Sequence, residues 1–252
     1  MIDVHCHLEQ KDFDKDREEL IEICKTHLKA IITCCAHPKD FDLTINLAKK
    51  FKGFLFATVS LHPEYVNELE KIDLDSYFDR IKREKDLIVG IGETGLDYYW
   101  IKDEKLREKQ KELFKKHIEL ARELNLPLVI HARDAFEDCI EILEEFGCKE
   151  VLMHMFGARN LLDRVIKNGW YISVNTMILK SKNYRKIAKK CPLDFIMTET
   201  DSPWLGFGKR NDPLAIKKVV EKIAEIKKIP VEEVDRVTTK NAIEFFNLNL
   251  KP

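Results

Sequence analysis

Eight short runs rich in β-branched and apolar residues alternate with longer amphipathic stretches along the whole chain, and few folds accept that rhythm. The runs IDVH (2–5), AIITCC (30–35), FLFATVSL (54–61), LIVGIG (87–92), LVIH (128–131), VLMH (151–154), YISV (171–174) and FIMTE (195–199) read as strands. Between them, 14–27, 41–51, 74–85, 103–124, 135–146 and 158–167 carry apolar residues three and four apart, as a helix buried on one side requires. The stretch after Val174 is poorly patterned, with a short helix near 184–190. Two more helices, 213–226 and 231–246, follow the last strand, the first opened by Asp212 and Pro213 as cap and first-turn proline. Strands of this composition are buried on both faces, so eight strand-then-helix units with no long linker predict an α/β fold, a closed parallel (β/α)8 TIM barrel. The 252 residues match the roughly 250 that such a barrel uses, and residues 1–252 are read as a single domain.

The same map sorts the polar residues. His5 and His7 end strand one, His62 follows strand three, Glu93 follows strand four, His131 ends strand five, His154 ends strand six and Asp201 follows strand eight. All lie at C-terminal strand ends, the face on which barrel enzymes build their sites. His27 and His117 lie in helices and stand apart from it. In a strand, residues i and i+2 point to one side, so His5 and His7 can converge on a metal ion. Four imidazoles and two carboxylates are enough for two divalent ions sharing a bridging ligand, an arrangement that generates hydroxide near neutral pH and suits hydrolysis. The bland reading of the same six residues is a set of hydrogen-bonded core histidines and structural carboxylates. No Gly-rich phosphate loop, Gly-x-Ser-x-Gly elbow or Cys/His nucleophile pattern competes.

Composition narrows the partners. A net charge of -1 conceals 43 basic and 44 acidic residues, so a nucleic-acid partner must be gripped by a local basic patch or by metal ions rather than by an overall positive field. Seven cysteines form no Cys-x-x-Cys and lie mostly in apolar runs, where Cys acts as a small hydrophobe, which fits a reducing compartment. With no leader-like start and no run approaching about 18 apolar residues, the expectation is a cytoplasmic protein without a membrane partner.

Seven motifs, in order, then carry a resemblance. Met-Ile-Asp-Val-His-Cys-His-Leu (1–8), Leu-His-Pro (61–63), Gly-Glu-Thr-Gly-Leu-Asp-Tyr (92–98), Ile-His-Ala-Arg-Asp-Ala (130–135), Met-His-Met-Phe (153–156), Glu-Thr-Asp-Ser-Pro-Trp-Leu (199–205) and Arg-Asn-Asp-Pro (210–213) closely resemble the TatD-type metal-dependent deoxyribonucleases of the amidohydrolase superfamily. The likeness spans the chain and ends with Thr-Lys-Asn-Ala-Ile-Glu-Phe-Phe (239–246). It implies that His5, His7 and Asp201 hold one ion, that His131 and His154 hold a second, and that Glu93 bridges them. It also implies 3′-to-5′ exonuclease hydrolysis of single-stranded DNA, with Glu93 and Asp201 as the catalytic carboxylates and Asp201 accepting the proton of the attacking water. Ser60 stands where the family commonly has Gly, and Glu64 where a second histidine is frequent. Both departures bear on the rim and therefore on substrate shape.

Around that core, His62 reads as a donor to a substrate phosphate or as a cap of the following loop. Arg133, two residues beyond His131, reads as a bidentate phosphate contact or as a partner of Asp134. Asp97 either orients a metal-binding histidine or caps the next helix. Tyr98, Tyr99, Trp100 and Trp204 offer stacking faces for bases or simple rim packing. His37 and the Cys34–Cys35 pair read as structural. Imidazoles favour Zn whereas carboxylates and phosphate substrates suit Mg or Mn, which leaves the ion open. Two other functions remain readable: a small-molecule hydrolase opening amides, lactones or phosphotriesters, and a noncatalytic RNA-binding barrel.

Overall fold

The computed structural model describes residues 1–250. Its sheet runs β1 (Ile2–Cys6), β2 (Ala30–Cys35), β3 (Leu55–Val59), β4 (Ile88–Asp97), β5 (Leu128–Arg133), β6 (Val151–Met153), β7 (Tyr171–Val174) and β8 (Ile196–Thr198), each strand pairing in parallel with the next. The helices outside are α1 (Arg17–Lys25), α2 (Phe41–Lys50), α3 (Leu74–Arg83), α4 (Glu104–Leu124), α5 (Phe136–Glu145), α6 (Leu162–Lys167), α7 (Lys182–Lys190), α8 (Ile216–Lys227) and α9 (Val231–Phe245). Chain ends meet where Thr198 Oγ1 donates to the Ile2 carbonyl at 3.2 Å. The seam continues beyond β8, with Asp201 N donating to the His5 carbonyl at 3.0 Å and His7 N to the Ser202 carbonyl at 2.7 Å. A parallel strand must be covered on both faces, and here the barrel interior and the helix ring do so. Inside, Ile2, Val4, Ile32, Val129, Leu152 and Met197 pack with Phe245 of α9 and Phe246 just after it. Outside, α4 lays Leu113, Phe114, Ile118 and Ala121 into the main core.

Most boundaries shift by one to five residues from the sequence reading, and three of the shifts have a local cause. β4 runs five residues further, to Asp97, so Glu93 lies inside the strand rather than after it. The Gly-Glu-Thr-Gly-Leu-Asp run breaks the apolar pattern, but those residues are buried and stay paired to β5 up to Asp97 and Arg133. α6 starts at Leu162, because residues 159–161 form a 3-10 turn. Asp212 does cap, accepting from Leu214 N at 2.9 Å, but it caps a 3-10 turn, and α8 begins only at Ile216.

Candidate metal centre

Two strands that carry candidate ligands are bulged next to them. Between Asp3 and Cys6 the pairing of β1 with β2 slips by a residue, and between Ile91 and Thr94 that of β4 with β5 does the same. A bulge bends a strand and re-aims its side chains, and these two aim His5 and Glu93 into the barrel mouth. The second one needs glycine: a Cβ on Gly92 would lie 2.5 Å from the Val129 carbonyl oxygen and 2.6 Å from Val129 Cβ. On the opposite wall Asp201 holds a left-handed φ of 56° at the seam, fixed by its hydrogen bond to His5.

The result is a cluster centred on Glu93. Its Oε2 lies 3.4 Å from His5 Nε2 and 3.6 Å from His7 Nε2. Asp201 Oδ1 is 3.8 Å and 3.7 Å from the same two nitrogens, which are themselves 3.0 Å apart. The other oxygen, Oε1, lies 2.6 Å from His131 Nδ1, 3.4 Å from His154 Nε2 and 3.6 Å from His62 Nε2. One carboxylate thus faces histidines on two sides, and the sides touch: the His5 and His154 ring centroids are 3.9 Å apart, so that His5, His154 and Asp201 form one close group and His62, Glu93 and His131 another. Donors about 2.1 Å from an ion sit about 3.0 Å apart on an octahedral edge and about 3.4 Å apart on a tetrahedral one; the spacings around Oε2 and the His154 contact come near these, while the 2.6 Å between Glu93 Oε1 and His131 Nδ1 is that of a hydrogen bond.

Behind the rings stands a second layer of carboxylates. His7 Nδ1 meets Glu9 Oε1 at 3.0 Å, His131 Nε2 meets Asp97 Oδ2 at 2.9 Å and His154 Nδ1 meets Glu199 Oε2 at 2.8 Å. A ligating histidine usually donates its far N–H in this way, which fixes the tautomer and leaves the near nitrogen's lone pair free. Asp97 takes the first of the two roles read for it and not the second: its Oδ1 accepts from Trp100 N at 2.8 Å in the turn after β4, while the next helix, α4, is capped by Asp103. His5 is the exception: its buried Nδ1 has no hydrogen-bond partner.

The electrostatics ask for positive charge. Burial lowers the affinity of His131 and His154 for protons, yet Glu93 and Asp97 bring His131 up to about 9, and Glu199 and Glu93 bring His154 up to about 10. Burial would raise Glu93, but His154, His62 and His131 hold it well below the usual carboxylate range. Asp201 goes the other way, burial lifting it to about 7 against the pull of His154 and His7. His5 falls to about 4 through burial and the charge of His154. Carboxylates that overcome the burial of neighbouring imidazoles create the demand that divalent cations would meet.

His62 joins the pocket differently. Its Nδ1 accepts from Glu64 N at 3.2 Å, so this is the cap expected of it, and Nε2 carries the hydrogen toward Glu93. Burial lowers its pKa, and with Nδ1 occupied as an acceptor the ring presents Nε2–H toward the pocket. The mouth opens into a cavity of about 700 Å³ whose lining includes Arg133, Trp100, Tyr184 and Trp204. The Arg133 guanidinium lies over Tyr99, 3.9 Å from the ring centroid, rather than pairing with Asp134. Trp204 meets His7 edge-on at 4.6 Å. Tyr98 turns away, its hydroxyl donating to Asp138 of α5 at 2.7 Å. His37 accepts from Lys39 N as a structural cap. Cys34 is buried under the cluster and accepts from Glu93 N at 3.2 Å, with burial pushing its thiol well up. His117, buried in α4, accepts from Leu61 N at 3.2 Å and so props the loop that carries His62.

Comparison with known proteins adds independent findings. A family model described as TatD related DNase matches residues 2–247. The human protein named deoxyribonuclease TATDN3 is 34% identical over 258 residues, covering 98% of this chain and 94% of its own. A Methanocaldococcus jannaschii protein named an uncharacterized metal-dependent hydrolase is 36% identical over 252 residues, covering 99% of this chain and 98% of its own. Among solved structures, the TatD homologue YJJV of Escherichia coli K12 superposes with a TM-score of 0.90 at 25% identity, over 98% of both chains.

Proposed function

This chain belongs to the TatD related DNase family, and from that premise we propose that it is a metal-dependent deoxyribonuclease that shortens single-stranded DNA from the 3′ end. In this reading His5, His7 and Asp201 would hold one divalent ion (Mg, Mn or Zn), His131 and His154 would hold a second, and Glu93 would serve both. The observation that carries it is Glu93 itself, a buried carboxylate whose two oxygens face two different histidine sets. When bound, the ions acidify a water and polarise the scissile phosphodiester.

The chain's own groups do the rest. Asp201 accepts the proton of the attacking water at a carboxylate oxygen, the P–O3′ bond breaks, and the departing 3′ oxygen leaves as a hydroxyl with a proton drawn from solvent. His62 Nε2–H donates to a non-bridging phosphate oxygen as negative charge builds there. Arg133 supplies the fixed cation at the rim, and Trp204 a face for the terminal base. Six of the seven cysteines are buried, none is paired, and no helix among the described residues is long and apolar enough to cross a membrane; both facts support a cytoplasmic enzyme. The small-molecule hydrolase is the rival. It shares the ion pair but has no use for exposed cation–aromatic pairs at the mouth.

A 5′-labelled oligonucleotide tests the reading. With Mg, Mn, Co or Zn the wild type should give a ladder descending one nucleotide at a time from the 3′ end, and Glu93→Gln should lose both hydrolysis and most bound metal while keeping its fold. Turnover of a lactone or amide with no nucleic acid degraded under any of these ions would reject the nuclease.

A further inference from the structure

Seven large hydrophobic side chains are notably exposed, and all four aromatics among them, Tyr99, Trp100, Trp204 and Phe207, stand on the loops that follow β4 and β8. Scattered apolar residues need no explanation, but aromatics confined to one face of a barrel do. Arg133 covers Tyr99, and Trp100 and Trp204 line the cavity, Trp204 beside His7. Phe207 is the one left unexplained. It is 46% exposed and carries the Lys180 ammonium 5.5 Å from its ring centroid. Lys180 comes from a different loop, just after the 3-10 turn Thr176–Leu179 that follows β7.

The loop that presents Phe207 is braced at three points. Asn211 N donates to the Pro203 carbonyl at 2.9 Å and closes the loop's base. Thr176 Oγ1 donates to the Leu205 carbonyl at 2.9 Å, tying it to the segment that carries Lys180. Arg210 grips Asp16 through two nitrogens at 2.6 Å and 2.5 Å, which ties the loop's end to the segment before α1. Between these anchors the turn is so tight that a Cβ on Gly206 would lie 2.0 Å from the Lys209 carbonyl oxygen. Leu205 and Phe207 are held at left-handed φ of 60° and 54°, a conformation bulky residues seldom adopt unless their surroundings impose it. Three anchors spent on holding an apolar ring in water mark that ring as a contact surface.

We propose that Phe207 and Lys180 form an outer binding station for an unpaired nucleotide, whose base stacks on the ring and whose phosphate meets the ammonium, one step beyond the cavity on the strand being cut. The chemistry fits a flexible single strand: every base has a π-face, and each phosphate brings the charge that Lys180 balances. It rests on the nuclease reading but extends it, because the ion pair and Trp204 alone would serve a dinucleotide as well as a longer strand.

The test is KM against chain length for wild type and variants, with oligothymidylates of two to eight nucleotides. In the wild type KM should fall by about fivefold or more as the strand becomes long enough to reach Phe207, the gain expected of one stacked base. Phe207→Leu should flatten that fall to less than about twofold, since it keeps apolar bulk but removes the π-face, whereas Phe207→Trp should preserve it. Lys180→Ala should lower the slope of log KM against log salt for long strands by about 0.7, the loss of one phosphate contact on a single strand. A length dependence that Phe207→Leu leaves intact, in a wild type that does degrade DNA, would overturn the station and leave the nuclease standing. Absence of DNA degradation by the wild type would overturn both.

Discussion

At the residue scale the two histidine sets are not equally supported. His131 and His154 each lean on a buried carboxylate through the far ring nitrogen, whereas His5 has nothing behind Nδ1. Glu199 is more connected than Asp97, accepting also from Met155 N at 3.0 Å and Asn175 Nδ2 at 3.2 Å. Glu199→Gln keeps the volume and can still accept one bond, but it removes the charge that orients His154. Metal affinity should fall by about 10–100-fold, which calorimetric titration with Zn or Mn would register, and an unchanged isotherm would make Glu199 a spectator. Asp201→Asn should act elsewhere. A positioned base is worth about 10²–10⁴-fold, so kcat should drop by that order with KM for a single strand changing far less. The six candidate ligands were legible because each falls at a strand end in the reading of the chain. Glu9 and Glu199 were not, although Glu9 lies two residues beyond His7 and Glu199 two before Asp201. A carboxylate that supports a ligand leaves no spacing of its own, and the supporting role of Glu199 emerges only when the ends of β6, β7 and β8 gather around the mouth.

At the element scale the barrel and its eight strands followed from alternation alone, because burial on both faces writes a continuous apolar run. What the pattern could not show is where a strand bends. The bulges in β1 and β4 are one-residue slips in pairing, and pairing is a relation between strands that no single run contains. The early end read for β4 has the same origin. Its last five residues are too polar and glycine-rich for a core strand, yet they are buried because Glu93 and Asp97 face the site while Thr94 meets His117 of α4 and Leu96 joins the core. Gly92 makes this testable. Alanine there would drive Cβ into Val129 on the neighbouring strand, and with strand on both sides the clash has little room to relax. Gly92→Ala should cost about 3 kcal/mol or more, in the range of severe core strain, and should weaken metal binding because Glu93 is the next residue. Thermal unfolding with and without metal separates the two effects. A variant as stable as the wild type would show that β4 and β5 can part without loss.

At the scale of the whole molecule the near-neutral total charge hides an uneven distribution. Glu9, Glu93, Asp97, Glu199 and Asp201 are all buried in and behind the mouth, and their ion-pair partners there are histidines. Burying charge is costly unless it is well paired, so a barrel that gathers five carboxylates at one end stores a cost that bound cations relieve. Metal binding and stability must then be linked, because the unfolded chain cannot bring residues 5, 93, 131, 154 and 201 together. An ion at a hundredfold excess over its dissociation constant adds about 2.7 kcal/mol per site. For a chain of this size each kcal/mol moves Tm by about 2–4 °C, which gives about 5–10 °C for each occupied site. Saturating Mn or Zn should therefore raise Tm over EDTA-treated protein by that amount, and by about twice as much if both sites fill. The increment should nearly vanish in Glu93→Gln, since the lost carboxylate is the one that both sets share. A single-site increment that survives Glu93→Gln would mean that one histidine set binds its ion without the bridge. That outcome would reduce the centre to two independent sites and remove the shared ligand on which the mechanism depends.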